Sequence, residues 1–201
     1  MRQLQVVGGS ESVYLIPPFQ EVIIFHCAIL CTIFAGGKGN DCSEMKEINI
    51  ALVAHDGRKQ ELLDWVKFNW RKLAKYNIWA TGTTGRLISE LVIEEDGKLI
   101  RPFDQKVTRL FSGPLGGDQQ IGAMIAERRI NMLIFFCDNL IVQGHQNDVS
   151  ALTRLAALYN IAFATNRTTA DMLLTSELID DPDYSIELPD CIASYANRSL
   201  K

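Results

Sequence analysis

Metal-ligand chemistry has little to work with in this 201-residue chain, which holds three histidines (His26, His55, His145) and no HxxxH or CxxC pair. A dedicated zinc site is therefore not expected. The five cysteines, Cys27, Cys31, Cys42, Cys137 and Cys191, are an odd number and widely spread. They do not read as a disulfide framework and fit a reducing compartment. Positive charge is not in excess either: 20 Lys and Arg stand against 24 Asp and Glu, a net charge of −4. That argues against a chain-wide cationic surface for nucleic acid or anionic lipid, so any bound anion must be held locally. A membrane-spanning helix needs roughly 20 apolar residues, and the apolar run from Val22 to Ala35 stops at 14. What is present, 47% apolar and 22% charged side chains, describes a globular chain with the length of one domain.

The first 46 residues differ from the rest. A mixed polar stretch leads through Pro17-Pro18 into the apolar run and then Gly36-Gly37-Lys38-Gly39. A signal peptide fits poorly, because Glu11 and Glu21 stand where positive charge is expected. Three readings stay open for this leader: a weak anchor, an extra element packed on the domain, or the product of an over-long gene model whose start is Met45. The boundary is accordingly drawn between a leader, 1–46, and the main domain, 47–201.

From Ile48 the chain alternates apolar β-type runs with helical periods. Strands are expected at Ile48 to Ala54, Ile78 to Thr81, Val107 to Phe111, Met132 to Cys137 and Ile161 to Ala164. Helices are expected at Arg58 to Tyr76, Thr84 to Val92, Gly117 to Arg129, Asp148 to Tyr159 and Thr169 to Thr175. Strands separated by single helices need crossover connections. The pattern therefore specifies a single doubly wound α/β domain, with a mostly parallel five-stranded sheet and helices on both faces. Residues 86–111 break the rhythm; Asp96-Gly97 marks a hairpin within them, and the segment reads as a surface insertion without chemistry of its own.

Ligands of open α/β sheets bind beyond the carboxyl ends of the strands. There the sequence reads His55-Asp56-Gly57-Arg58-Lys59, then Thr81-Gly82-Thr83-Thr84-Gly85, then Ser112-Gly113-Pro114-Leu115-Gly116-Gly117-Asp118. After the fourth strand come Asp138-Asn139 and Gly144-His145-Gln146-Asn147-Asp148. Two of these turns are rich in glycine and hydroxyls and lead into helices, an arrangement suited to a phosphate. Neither GxxxxGKS/T nor GxGxxG occurs, so a phosphate ester of a small molecule is expected rather than a nucleotide. Each residue alone has a plainer reading: Asp56, Asp118 and Asp148 as helix caps, Thr83 or Thr84 likewise, Lys59 as a solvated lysine. Their convergence on one rim is the signal. Carboxylates beside a phosphate repel it, and general base catalysis on a phosphorylated substrate gives them a purpose.

The runs Ile50-Ala51-Leu52-Val53-Ala54-His55-Asp56, Ala80-Thr81-Gly82-Thr83-Thr84-Gly85, Ser112 to Gln120 and Ala164-Thr165-Asn166 with Thr169-Ala170-Asp171 closely resemble the methylglyoxal synthase family. The resemblance runs from about Ile48 to Ser176, and the Ser112 to Gln120 run is its most specific part. It implies a cytoplasmic carbon–oxygen lyase that converts dihydroxyacetone phosphate to methylglyoxal and inorganic phosphate. It also implies no metal, no organic cofactor, no nucleic acid, no membrane, a homohexamer, and inhibition by phosphate. By the same resemblance Asp118 is the catalytic base, Asp148 and His145 manage the enediol protons, and Asp56 is a further active-site carboxylate. His55, Lys59, Thr81, Gly82, Thr83, Thr84, Ser112, Gly113 and His145 match substrate contacts. Asp138 matches an acidic position after the fourth strand. Departures are Cys137 where the family often has Trp, Asn139 where it often has Pro, and Gln146-Asn147 in place of Asp-Pro. A non-catalytic phosphate-ester-binding module of the same fold is the alternative, and an isomerase, which returns the proton to the substrate, is a second.

Overall fold

The computed structural model describes residues 47–141, 144 and 146–197; the leader lies outside them. Five strands, β1 (Asn49–Ala54), β2 (Asn77–Ala80), β5 (Val107–Arg109), β6 (Met132–Phe136) and β7 (Ala162–Ala164), form one sheet in the order β5-β2-β1-β6-β7. Every pairing in it is parallel. The reason lies in the strand sequences: β6 is buried at all five positions and β1 at all but its first, which only a sheet covered on both faces permits.

The period of two divides the core into two layers. Ile50, Leu52 and Ala54 of β1 pack with Leu62, Trp65 and Val66 of helix α1 (Lys59–Phe68) and with Ala170 and Leu174 of helix α6 (Arg167–Thr175). Ala51 and Val53 face the other way, against Ile121, Met124 and Ile125 of helix α4 (Gly117–Ala126) and Val149, Leu152 and Ala156 of helix α5 (Gln146–Leu158). The fully buried Trp65 ties α1 to α6 by donating its indole N–H to Asp171 Oδ1 at 2.7 Å. Burying a side chain of that size contributes on the order of 2 kcal/mol, which fixes the helix whose first residue is Lys59.

Several expected boundaries move. The single helix expected over Arg58 to Tyr76 is two: α1 stops at Phe68 and α2 (Trp70–Leu73) begins after Asn69. Asn69 turns its amide back to the Trp65 carbonyl, 3.1 Å away, offering the backbone a competing partner. Helix α3 (Gly82–Ser89) starts two residues before the expected Thr84, directly on the glycine-hydroxyl turn. Helix α6 starts at Arg167 because the Asn166 side chain caps the Thr169 N–H at 3.0 Å. A short helix, α7 (Asp190–Ala196), follows beyond the expected series.

The hairpin at Asp96-Gly97 is present as β3 (Ile93–Glu95) paired with β4 (Lys98–Ile100), and both turn residues have positive φ, 49° and 73°, the signature of a tight two-residue turn. The 86–111 segment is more than surface: Ile93 and Phe103 are buried, Phe103 in the α1 layer. Among the described residues no helix is long and apolar enough to cross a membrane.

The chain travels outward from β1 through β2 to β5, then returns to β6 and β7 on the other side. The crevice between β1 and β6 is thus the point where the strand order reverses, the place where such sheets hold ligands. Close approach at the rim is set by Gly117. A Cβ there would lie 2.1 Å from the Phe111 carbonyl oxygen, whereas at Gly122 it would meet only the flexible end of Leu155 at 3.1 Å. Gly117→Ala should therefore cost roughly 1–3 kcal/mol as an overpacking change and lower the melting temperature well beyond Gly122→Ala. Equal melting temperatures for the two variants would contradict this account of the rim.

Candidate active site

Four strand ends deliver the rim residues. β1 runs straight into His55 and Asp56, and the first residue of α1 is Lys59. β2 runs into Thr81, followed by Gly82, Thr83 and Thr84 in the first turn of α3, whose leading N–H groups have no carbonyl within their own helix. The loop after β5 carries Ser112 and Gly113, and α4 places Asp118 in its first turn. Asp148 comes from the first turn of α5.

These side chains line one cleft of about 600 Å³, which takes in His55, Asp56, Lys59, Thr81, Thr83, Thr84, Ser112, Gly113, Asp118 and Asp148. Pro114, Phe135 and Gly144 complete its wall with Val53 and Ala54. Gly82 lines the adjoining groove instead. A Cβ on it would lie 2.7 Å from Ser112 Oγ, and its N–H donates to the Phe111 carbonyl at 3.0 Å; it stitches the two phosphate-type loops together. His145 lies outside the described residues.

Burial singles the cleft out. Among the described residues the buried polar side chains are His55, Thr81, Thr84 and Asp118, and all four line it. Burying such groups is costly unless they are used. Asp118 is 2% exposed although it carries a carboxylate. The Thr84 hydroxyl is buried without a hydrogen-bond partner among the described residues. Lys59 and Asp56 form an ion pair at 2.5 Å, the lysine side chain 20% exposed and the aspartate 93%, so the ammonium faces the cleft's interior side while Asp56 stays in water.

His55 is held in one chemical form. The Asp138 backbone N–H donates to its Nδ1 at 2.8 Å, which requires an unprotonated Nδ1 and leaves the proton of the neutral ring on Nε2. Phe135 packs against the ring edge-on, with centroids 5.0 Å apart. Asp138 does not line the cleft. Its carboxylate receives the Leu140 N–H at 3.1 Å and lies against Gly57, where a Cβ would come within 2.8 Å of Oδ2. Sequence reading offered Asp138 only as an acidic position; its service to His55 is a backbone contact that no side-chain pattern announces. Cys137, where the family often has Trp, is buried beside the site. Burial pushes its thiol up to about 11, Arg58 opposing and Asp118 reinforcing, so it remains a neutral thiol at ordinary pH. Among the described residues no group of three His, Cys, Asp or Glu side chains is arranged to hold a metal ion.

The cleft therefore combines hydroxyl and helix-end donors, one ammonium and a buried carboxylate. Such a set can hold a phosphate ester while a base works on its carbon skeleton. Comparison with known proteins agrees with this. Residues 61–165 match the family described as MGS-like domain. The chain is 47% identical over 154 residues to methylglyoxal synthase of Maridesulfovibrio salexigens, covering 76% of this chain and 97% of that one. It is 49% identical over 155 residues to the Proteus mirabilis enzyme of the same name, covering 77% and 93%. The crystal structure of methylglyoxal synthase from Elizabethkingia anophelis NUHP1 superimposes with a TM-score of 0.66 at 42% identity, over 77% of this chain and 93% of that one. With identities of this size over nearly the whole length of such relatives, the chain belongs to the methylglyoxal synthase family.

Proposed function

We propose that the chain is a carbon–oxygen lyase that converts dihydroxyacetone phosphate to methylglyoxal and inorganic phosphate. The observation that carries this reading is the collection of all the described buried polar side chains, Asp118 included, in one anion-suited cleft. A module that merely bound a phosphate ester would gain nothing from a buried carboxylate beside the anion.

In this reading Thr81, Thr83, Thr84, Ser112, Gly113 and Lys59 hold the phosphate, the first-turn N–H groups of α3 adding to them. Asp118 takes a proton from the hydroxymethyl carbon next to the carbonyl, and the electrons move onto the carbonyl oxygen as an enediolate. His55 offers its Nε2–H as a neutral donor to the substrate. His145 and Asp148 manage the enediol protons and polarise the oxygen. The enediolate then collapses, the C–O bond to phosphate breaks, and the enol that leaves becomes methylglyoxal on taking a proton at its terminal carbon. Asp56 serves this chemistry through Lys59, whose ammonium it holds. A lyase differs from an isomerase on the same substrate in the angle at which the phosphate is held while the enediolate forms, and similarity to methylglyoxal synthases supports elimination.

Residues 47–201 form the catalytic unit in this reading. As the resemblance implies, it works in the cytoplasm as a homohexamer, uses no metal or organic cofactor, and is inhibited by its product phosphate.

Purified protein given dihydroxyacetone phosphate should release methylglyoxal and inorganic phosphate in equal amounts; binding of the ester without release of either would overturn the lyase reading. Asp118→Asn should lower kcat by roughly 10²- to 10⁴-fold, the usual worth of general base assistance, with an unchanged circular dichroism spectrum. Near-normal turnover in that variant would remove Asp118 as the base. Lys59→Ala should raise KM more than it lowers kcat, because a charge contact to the phosphate is present before and during the reaction. An unchanged KM would count against that contact.

A further inference from the structure

The run Ala164-Thr165-Asn166 with Thr169-Ala170-Asp171 carries part of the family resemblance, yet none of its residues lines the cleft. Its contacts run instead to the elements that carry the cleft's residues. The Thr165 carbonyl accepts the Cys137 N–H at 3.4 Å, just past the end of β6. Asn166 caps α6, and Ala170 is fully buried in the α1 layer. Asp171, its side chain 43% exposed, accepts the Trp65 indole N–H at 2.7 Å on Oδ1, and Arg167 Nε stands 3.8 Å from its Oδ2.

Lys59 needs an anchor that its own end of the helix lacks. Among the described residues neither the 3₁₀ turn Asp56–Arg58 nor α1 after it has a side-chain cap on its first N–H groups. Arg58, between the two, departs from helical geometry at φ −114° and ψ 0°. Asp56 holds the ammonium, but the two residues are three positions apart on one short turn, and the pair moves with that turn.

Trp65 supplies the anchor. It lies six residues on, about 9 Å along the helix axis. No part of it is exposed, and its ring rests on Phe136 with centroids 6.1 Å apart. Phe136 ends β6, and its carbonyl accepts the His55 N–H at 3.2 Å. Lysine and histidine are thereby referred to one strand end. Burial alone would be served by a phenylalanine at position 65, since apolar contact is non-directional. The indole adds one directed bond, and a carboxylate acceptor makes it charge-assisted. Such a bond fixes the rotation of α1 about its own axis.

We propose that Asp171 is a positioning residue for the cleft: by accepting the Trp65 N–H it sets the rotation of α1 and so the place of the Lys59 ammonium. The inference rests on the proposed function in taking Lys59 as a phosphate contact, and it does not need the lyase step.

Kinetics with dihydroxyacetone phosphate, beside equilibrium dialysis against inorganic phosphate, test it on Trp65→Phe, Asp171→Ala and Asp171→Asn in the full chain. Trp65→Phe keeps an aromatic ring in the core and loses the N–H. It should raise KM by roughly threefold to tenfold, the scale of one hydrogen bond, with kcat changed less and the circular dichroism unchanged. Asp171→Ala should match it, and Asp171→Asn, which keeps the acceptor oxygen, should stay near the parent. In a Lys59→Ala background neither Trp65→Phe nor Asp171→Ala should raise KM further, because residues that act through one group do not add. The phosphate affinity that depends on Lys59 should follow the same pattern. A lowered melting temperature with parental KM in Trp65→Phe and Asp171→Ala would make the bond structural only and overturn the proposal. A KM rise that persists undiminished without Lys59, or a parent indifferent to Lys59→Ala, would overturn it as well. If the parent binds phosphate through Lys59 yet releases no methylglyoxal, the lyase reading fails, and the phosphate dissociation constants decide the positioning role by the same criteria.

Discussion

The contact on which the site depends is the approach of Gly117 to the end of the β5 loop. Backbone comes so near backbone there that a single methyl group would sit 2.1 Å from the Phe111 carbonyl oxygen. Gly116, at φ 103°, turns the chain into that approach, a conformation open to glycine and strained for other residues. The Gly117 N–H closes on the Ser112 carbonyl at 3.0 Å. Asp118 follows immediately, so its carboxylate is buried at the head of a helix whose start cannot slide. The same few residues set the position of Ser112, of Gly82 through the Phe111 carbonyl, and hence of the first turn of α3. Asp118 and the hydroxyl-rich loops of the cleft are parts of one rigid joint.

Charge is handled locally throughout. In a chain with net charge −4, hydroxyls, helix ends and one ammonium converge on a single cleft, where whole-chain charge has little influence. Asp56 remains in water beside Lys59 and keeps that ammonium in place without adding a buried negative charge. His55 is kept neutral by a backbone N–H.

Much of this was legible in the sequence, for physical reasons that can be named. Runs such as Met132 to Phe136, apolar at every position, can only be strands covered on both faces, and the glycine-hydroxyl turns after them marked the rim. The helix break at Asn69 was not legible, because it comes from an amide bonding to a carbonyl four residues back while the apolar period runs on through Leu73. Phe103 was lost within a segment that looks polar and surface-bound. Asp138 attracted notice as an acid, whereas its N–H is what fixes His55.

The central claim is that the cleft removes a proton and then expels phosphate before the proton returns. Turnover of dihydroxyacetone phosphate in deuterium oxide, followed by NMR, tests it most directly. The account predicts methylglyoxal with a single solvent deuterium in its methyl group, formed together with inorganic phosphate. A phosphate ester returned with deuterium at the carbon next to the carbonyl, and no free phosphate, would contradict it.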